Sequence, residues 1–280
     1  MKVAVLGAGG NMGRRITRSL KDDDRHQLRL IERSDAGRAK LAELGVTTVD
    51  QESGFAGADV VVFAVPDKIV RCVAAEVVPL LDPGTSILFL DPAAVAAGRI
   101  LRREDVPCFV THPTHPPLYD LLGEPELEAR RDYWGGGKAH QAIVFAHAWG
   151  DPGRADEIEI LVTHMFRPIS RTHRITVDQM TLLEPALTET LANGCAAIIK
   201  EGMHRVVDKG VPEAAAWDFL MGHLQIGISI IFGQLDWKLS EGAQQALDES
   251  RPQIFRDDWY AIFEPEPLMA SLRRITGGED

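Results

Sequence analysis

The stretch Lys2-Val3-Ala4-Val5-Leu6-Gly7-Ala8-Gly9-Gly10-Asn11-Met12-Gly13-Arg14-Arg15-Ile16 decides the architecture. An apolar run of strand length meets a glycine-rich turn, and a segment of helical character follows without a spacer. Glycines in such a turn let the backbone come close to phosphates, and the helix that follows offers unpaired N–H groups and a partial positive charge. The spacing G-x-G-x-x-G fails, because Met12 stands where the third glycine would fall; G-x-x-G-x-x-G fits through Gly7, Gly10 and Gly13. A strand, a glycine turn and a helix in that order predict a Rossmann-type dinucleotide site. In it, Gly7, Gly10, Asn11, Met12 and Gly13 face the pyrophosphate.

Working outward, Gln27-Leu28-Arg29-Leu30-Ile31-Glu32 reads as a second strand ending in an acid. A carboxylate there accepts hydrogen bonds from the adenosine ribose and repels a 2′-phosphate, so Glu32 predicts NAD rather than NADP. Arg33 follows at once and pulls the other way, since an arginine can grip that phosphate. A solvated Glu–Arg pair at a strand end is the plainer alternative. Thirty basic and 41 acidic residues give a net charge of −11, which argues against nucleic acid or an anionic membrane as partner. The three cysteines, Cys72, Cys108 and Cys195, form no C-x-x-C and suit a reducing compartment. The first strand begins at once, so no signal peptide is expected before it. The apolar stretch 219–232 contains His223 and Gln225 and is short for a bilayer. The expectation is a soluble cytoplasmic protein.

Strand and helix signals alternate through the first half, as a doubly wound, mainly parallel sheet requires. A helix is predicted over 36–44. A continuous apolar strand over 59–64 ends at Val65-Pro66-Asp67, with Val65 and Pro66 at the carboxyl edge where such folds bind ligands and Asp67 as helix cap. A helix over 68–81 and strands over 86–90 and 107–110 follow. A polar, glycine-bearing arm over 119–138 interrupts the pattern, and its length suits a lid or a partner contact. Strand 141–146, helix 154–165 and strand 169–174 complete this part. After Thr176 the character changes: Thr176-Val177-Asp178-Gln179 is a capping box, and helical periodicity then runs to about 209 with a kink at Pro185. Further helices are predicted over 212–232, 241–249 and 259–275. Residues 1–175 are therefore read as the NAD-binding domain and 176–280 as an all-helical substrate and dimerisation domain. In the latter, Gly222, Gly227 and Gly233 permit close helix approach. Burial of that helix within one subunit is the alternative.

Three segments compete to supply acid–base chemistry. Thr111-His112-Pro113-Thr114-His115-Pro116-Pro117 places two histidines on a proline-stiffened loop directly after a strand, and His112, nearer the strand end, is the stronger candidate for general base or metal ligand. Packing against the prolines is the plain alternative. Glu184 lies in the apolar run Leu182-Leu183-Glu184-Pro185-Ala186-Leu187, and a carboxylate buried there must be paired, protonated or metal-bound. With His112 it would hold a divalent cation, zinc or similar, with open positions for substrate oxygens. A solvated glutamate in a first helical turn fits equally. Asn193, Lys200 and His204 form a third group, with Lys200 and His204 one turn apart, which also reads as an ordinary polar surface.

The pattern resembles the superfamily of 3-hydroxyacid and phosphogluconate dehydrogenases in Gly7 to Gly13, in Phe63-Ala64-Val65-Pro66 and in the helical second half. The loop at His112 also resembles the His-Pro loop of prephenate dehydrogenases. Their catalytic lysine motifs are not matched, because Lys200 is followed by His204 rather than by the asparagine, or the His–Asn pair, those families carry. The chain is more similar to the D-apionate oxidoisomerase family in three places: Gly-Ala-Gly-Gly-Asn-Met-Gly at 7–13, His-Pro-Thr-His-Pro-Pro at 112–117, and Leu-Glu-Pro-Ala at 183–186. That resemblance implies NAD-dependent oxidation of a branched sugar acid coupled to a carbon-skeleton rearrangement. His112, His115 and Glu184 would be catalytic, His112 and Glu184 would hold the metal, and a homodimer would form through the helical domain. A plain NAD-dependent 3-hydroxyacid or prephenate-like dehydrogenase without rearrangement is one alternative. A non-catalytic NAD sensor is another.

Overall fold

The computed structural model describes residues 1–119 and 126–277. It falls into two compact units, residues 1–183 with 269–280 and residues 184–268. The sequence places its line at 175/176. In the structure the first unit runs eight residues further, and the C-terminal segment returns to it.

The first unit is built on one seven-stranded sheet of order β2-β1-β3-β4-β5-β6-β7. Its strands are β1 (Lys2–Leu6), β2 (Gln27–Ile31), β3 (Val60–Phe63), β4 (Ser86–Phe89), β5 (Cys108–Pro113), β6 (Gln141–Trp149) and β7 (Ile169–Arg174). The first five are parallel; β6 runs antiparallel to β5, and β7 parallel to β6. Strands β1 and β3 read as unbroken apolar runs because both faces are covered. Ala4, Leu6, Val61, Phe63, Ile87 and Phe89 enter one core, and Val3, Val5, Val60, Val62 and Leu88 the other. The helices of this unit begin with α1 (Asn11–Leu20), α2 (Asp35–Ala42), α3 (Gln51–Phe55), α4 (Asp67–Val77) and α5 (Ala93–Ala96). They continue with α6 (Leu127–Arg130), α7 (Ala155–Met165) and α8 (Val177–Thr181). Pro66, not Asp67, caps α4: proline's fixed φ suits the cap, and Asp67 becomes the first helical residue. The capping box at Thr176 and Gln179 forms as read.

Pro185 does more than kink its helix. Residues Leu182–Ala192 wind as a π-helix, in which the Thr190 hydroxyl donates to the Pro185 carbonyl at 2.7 Å. A proline removes one N–H from the α ladder, and the wider winding takes up the displaced register.

The second unit carries α9 (Asn193–Asp208), α10 (Glu213–Ile231) and α11 (Glu241–Ile254), and α12 (Pro265–Ile275) begins at its end. Met203 is the buried residue of α9 and Ala216 that of α10, and α11 has none. Helix α10 falls within the predicted 212–232. Among the described residues it is the one helix long and apolar enough, by length and composition, to cross a membrane.

Candidate active site

The glycine turn after β1 closes on itself before any ligand is considered. Gly7 takes φ +72°, a left-handed conformation that favours glycine, and its N–H donates to Ile31 O at the end of β2. A Cβ on Gly9 would sit 2.4 Å from the Gly37 backbone and 2.7 Å from a Glu32 oxygen, and one on Gly13 would sit 2.4 Å from Gly7 O. Gly13 therefore lets α1 pack on the turn, while Gly9 lets the turn approach the start of α2. Gly10 caps α1 with no side-chain acceptor, so the helix presents its first-turn N–H groups at Asn11, Met12 and Gly13 without a competing anion. The cleft in front of this turn has a volume of about 380 Å³ and is bordered by Gly7, Gly10, Glu32, Ser34, Val65 and Pro66 among others. Backbone donors at a helix start, glycines at each close approach and an acid directly after β2 fit a dinucleotide.

Glu32 is fixed from three sides. Its Oε2 accepts the Gly9 N–H at 2.8 Å, and its Oε1 accepts the Ser34 N–H and hydroxyl, each at 2.8 Å. Burial alone would raise this carboxyl; the donors of Ser34, Gly9 and Arg33 outweigh it and hold it below the ordinary carboxylate range. The side chain is thus an anion at neutral pH. Arg33 turns to Glu76 at 2.8 Å and Gln51 at 3.2 Å, which engages the one guanidinium that argued for a 2′-phosphate.

At the carboxyl edge of the sheet, β5 delivers His112. Its Nδ1 lies 2.8 Å from Leu90 O. A carbonyl only accepts, so Nδ1 carries the proton and Nε2 carries the lone pair needed by a base or metal ligand. Burial pushes this imidazole down; the Leu90 bond and the Asp67 charge resist, and Arg15 adds to the fall. His115 repeats the arrangement, with Nδ1 3.0 Å from Trp134 O and burial again lowering its pKa. The two rings meet edge to face with centroids 6.0 Å apart. His115 takes φ +60°, the one described non-glycine residue in the left-handed region, and strain of that kind gathers at functional sites.

Asp91, which sequence reasoning passed over, stands beside His112. A carboxylate oxygen and an imidazole nitrogen of the pair lie within 4.8 Å. Its Oδ1 accepts the Ala93 N–H at 2.7 Å, so the side chain is oriented. Its signal in the sequence was an acid at the carboxyl end of β4, one strand from His112. Glu184 opens the second unit, on the π-helical segment and partly buried. Lys200 and His204 are exposed on α9. Asp23, His26 and His164 also bring ligand atoms within 4.8 Å of one another, but Arg25 takes both oxygens of Asp23 at 2.7 and 2.6 Å and Arg167 approaches at 3.6 Å. Two guanidiniums there disfavour a cation. The part of the 119–138 arm from 120 to 125 lies outside the described residues.

Two family models match the chain. The C-terminal domain model of phosphogluconate dehydrogenase (decarboxylating) covers residues 123–276, and the model for NADP oxidoreductase, coenzyme F420-dependent, covers residues 2–88. The chain is 41% identical to a D-apionate oxidoisomerase of Cupriavidus necator, over 98% of this chain and 99% of that protein. It belongs to the D-apionate oxidoisomerase family. A D-apionate oxidoisomerase of Rhizobium rhizogenes is 40% identical over 98% of this chain and 99% of its own length. A solved structure from Cupriavidus necator aligns with a TM-score of 0.94 at 40% identity, over 98% of this chain and 99% of that one. It is described as a semialdehyde dehydrogenase NAD-binding protein in complex with calcium and NAD. Membership of this family makes the chain an NAD-dependent oxidoreductase, on the Rossmann and helical architecture read from residue 2 onward.

Proposed function

We propose that this member of the family oxidises D-apionate with NAD and isomerises the product to 3-oxo-isoapionate. The observation that carries the reading is His112 with its Nε2 lone pair at the carboxyl edge of the sheet that also bears the dinucleotide cleft. Bound NAD would supply the hydride acceptor for the C2 carbinol carbon. Glu32 fixes the adenosine ribose and disfavours a 2′-phosphate, and His115, or His112 where no cation occupies its lone pair, takes the C2 hydroxyl proton at Nε2. The result is a 2-oxo acid beside a tertiary alcohol. A hydroxymethyl group then carries its bonding pair from C3 to C2, the C3 hydroxyl gives up its proton, and the C2 oxygen gains one. No further oxidant is required, and the skeleton changes.

The same reading assigns a divalent cation to His112 and Glu184, with Asp91 as an additional donor. Carboxylate oxygens and a neutral imidazole suit zinc or a harder divalent ion. Such an ion, when bound, supplies Lewis-acid polarisation of substrate oxygens. Glu184→Gln is expected to lower both turnover and bound metal; unchanged values for both remove the metal from the proposal. NADH absorbance on mixing the protein with NAD and D-apionate, with and without a chelator, tests the reaction. A rise that the chelator abolishes, with a rearranged product, is the expected result. Turnover of a simpler hydroxyacid alone, with an unrearranged product, returns the chain to plain dehydrogenase chemistry.

We further propose a homodimer through the helical unit. Phe219, Ile231 and Phe232 on or at the end of α10 are 69%, 63% and 70% exposed, far more apolar surface than a solvated helix leaves open. A Cβ added at Gly222 or Gly227 would meet nothing within 4 Å, which is room for a second helix to approach. A monodisperse species of twice the chain mass in light scattering is expected. A monomer that floats with lipid vesicles would instead assign α10 to a membrane.

A further inference from the structure

Arg15 sits on α1, the helix whose N-terminus faces the dinucleotide cleft, yet its side chain is only 4% exposed. It lies between two aromatic rings, with its guanidinium carbon 5.0 Å from the Phe166 centroid and 5.6 Å from that of Trp134. Nη2 donates to Gln141 Oε1 at 2.6 Å, and Gln141 Nε2 in turn donates to Phe166 O at 2.6 Å. Nε and Nη1 are buried with no hydrogen-bond partner among the described residues, and burial pulls the guanidinium down to about 10. Burying a cation with its Nε and Nη1 donors unanswered is unfavourable, and an apolar side chain of the same length would pack there more cheaply. The arrangement asks for a role other than stability.

The residues that Arg15 touches lead to the histidines. The turn after Trp134 is tied by the Asp132 carboxylate, which accepts the N–H groups of Gly136, Lys138 and Ala139. Gly135, at φ +82°, passes so close that a Cβ would lie 2.5 Å from Arg15 Nη2. Trp134 is thereby held with one ring against the guanidinium. Its ring also packs against His115, with centroids 5.0 Å apart, and its carbonyl accepts the His115 Nδ1 proton. With the edge of His112, these two contacts orient an imidazole whose backbone is itself in the left-handed region.

We propose that Arg15 is a positioning residue for the oxidation: through the cation–π contact with Trp134 it fixes the orientation and tautomer of His115 beside His112. This rests on the reading of His112 and His115 as the proton acceptors. It makes the cofactor helix and the acid–base pair one rigid assembly, so a pyrophosphate seated on α1 meets histidines already in place. A guanidinium is required because its flat face matches the indole, and the ammonium of lysine has no such face.

The test uses Arg15→Met, Arg15→Lys, Trp134→Leu and Trp134→Phe in the full chain. Trp134 is 47% exposed, so its variants open no sealed core. Two readouts are taken: kcat, KM and NAD affinity with D-apionate, and the rate of diethyl pyrocarbonate modification at His115, mapped by mass spectrometry against exposed His147. Arg15→Met, Arg15→Lys and Trp134→Leu are expected to lower kcat tenfold or more and raise His115 modification severalfold. NAD affinity should stay within twofold and His147 reactivity should not change. Trp134→Phe, which keeps an aromatic face, should retain most of kcat. Unchanged kcat and unchanged His115 reactivity in Arg15→Met and Trp134→Leu would overturn the inference, as would a kcat loss that only tracks weaker NAD binding. If His115 reactivity moves while the wild-type protein leaves D-apionate untouched, the substrate reading fails and the positioning role stands.

Discussion

The sheet unit and the helical unit satisfy the same chemistry in opposite ways. In the first, apolar strands are covered on both faces, and Val3, Val61, Ile87, Phe109 and Leu161 are wholly inaccessible. In the second, long helices leave Trp217, Phe219, Ile231 and Trp237 more than half exposed, and no core of comparable depth forms among its described residues. Hydrophobic burial is roughly proportional to area removed from water, so the first unit draws more stability from its own contacts than the second does. The lesson is a division of labour. The unit that holds the cofactor cleft buries its apolar side chains, and the other leaves them at its surface, which is the feature the proposed dimer rests on.

The largest effect that would sharpen this contrast comes from truncating an aromatic in each unit. Phe89→Ala empties a site in the sheet core and is expected to cost about 3–5 kcal/mol in chemical unfolding, independent of protein concentration. Phe219→Ala should cost little in the isolated chain but lower the midpoint of unfolding in a concentration-dependent way, as loss of a subunit contact does. Equal, concentration-independent costs at both positions would break the comparison. Next in size is the glycine turn. Gly9→Ala drives a Cβ into the Gly37 backbone and the Glu32 carboxylate, and NAD affinity measured by fluorescence titration should fall about a hundredfold, roughly 2.7 kcal/mol. Smaller again, Glu32→Ala removes the anion at the border of the cleft. The preference for NAD over NADP in kcat/KM should fall by about tenfold, with little change in melting temperature.

The glycine turn was legible because every residue that defines it lies within one local stretch, and its cost falls on backbone geometry that only glycine accepts. The capping box at Thr176 and the strands leading to His112 and Glu32 were legible for the same reason, but 111–113, read as a loop from its prolines, continues β5, because its pairing with β6 holds His112 and Pro113 in the sheet. What escaped depends on chain segments far apart in sequence. The antiparallel placement of β6 follows from its pairing with β5, which no property of residues 141–149 announces. Asp91 gains meaning only when β4 and β5 are neighbours. Arg15 and Gln141 are 126 positions apart, and nothing in either local pattern points to the other. Pro185 was read as a kink because proline breaks the α ladder, but whether the chain bends or widens into a π-helix is settled by packing rather than by the residue itself.

The smallest effect concerns a contact within the sheet unit that the catalytic reading does not use. His26 Nε2 and His164 Nδ1 lie 2.8 Å apart, joining the segment before β2 to α7. Burial lowers both imidazoles, and the charge each would carry on protonation adds to the fall at His26, while Asp23 opposes it. A histidine whose folded pKa is depressed binds fewer protons in the native state than in the unfolded one. Stability therefore rises with pH, and it is lost as pH drops below the unfolded value near 6.5. A shared proton between the two nitrogens also becomes impossible once both are charged. The wild-type melting temperature should accordingly fall between pH 6.5 and pH 5. In His164→Gln, which keeps a hydrogen-bonding group but cannot charge, that fall should be shallower by roughly 1–2 °C. Parallel pH profiles for the two proteins would mean that the pair titrates alike in both states, and that the two imidazoles act only as packed surface between β2 and α7.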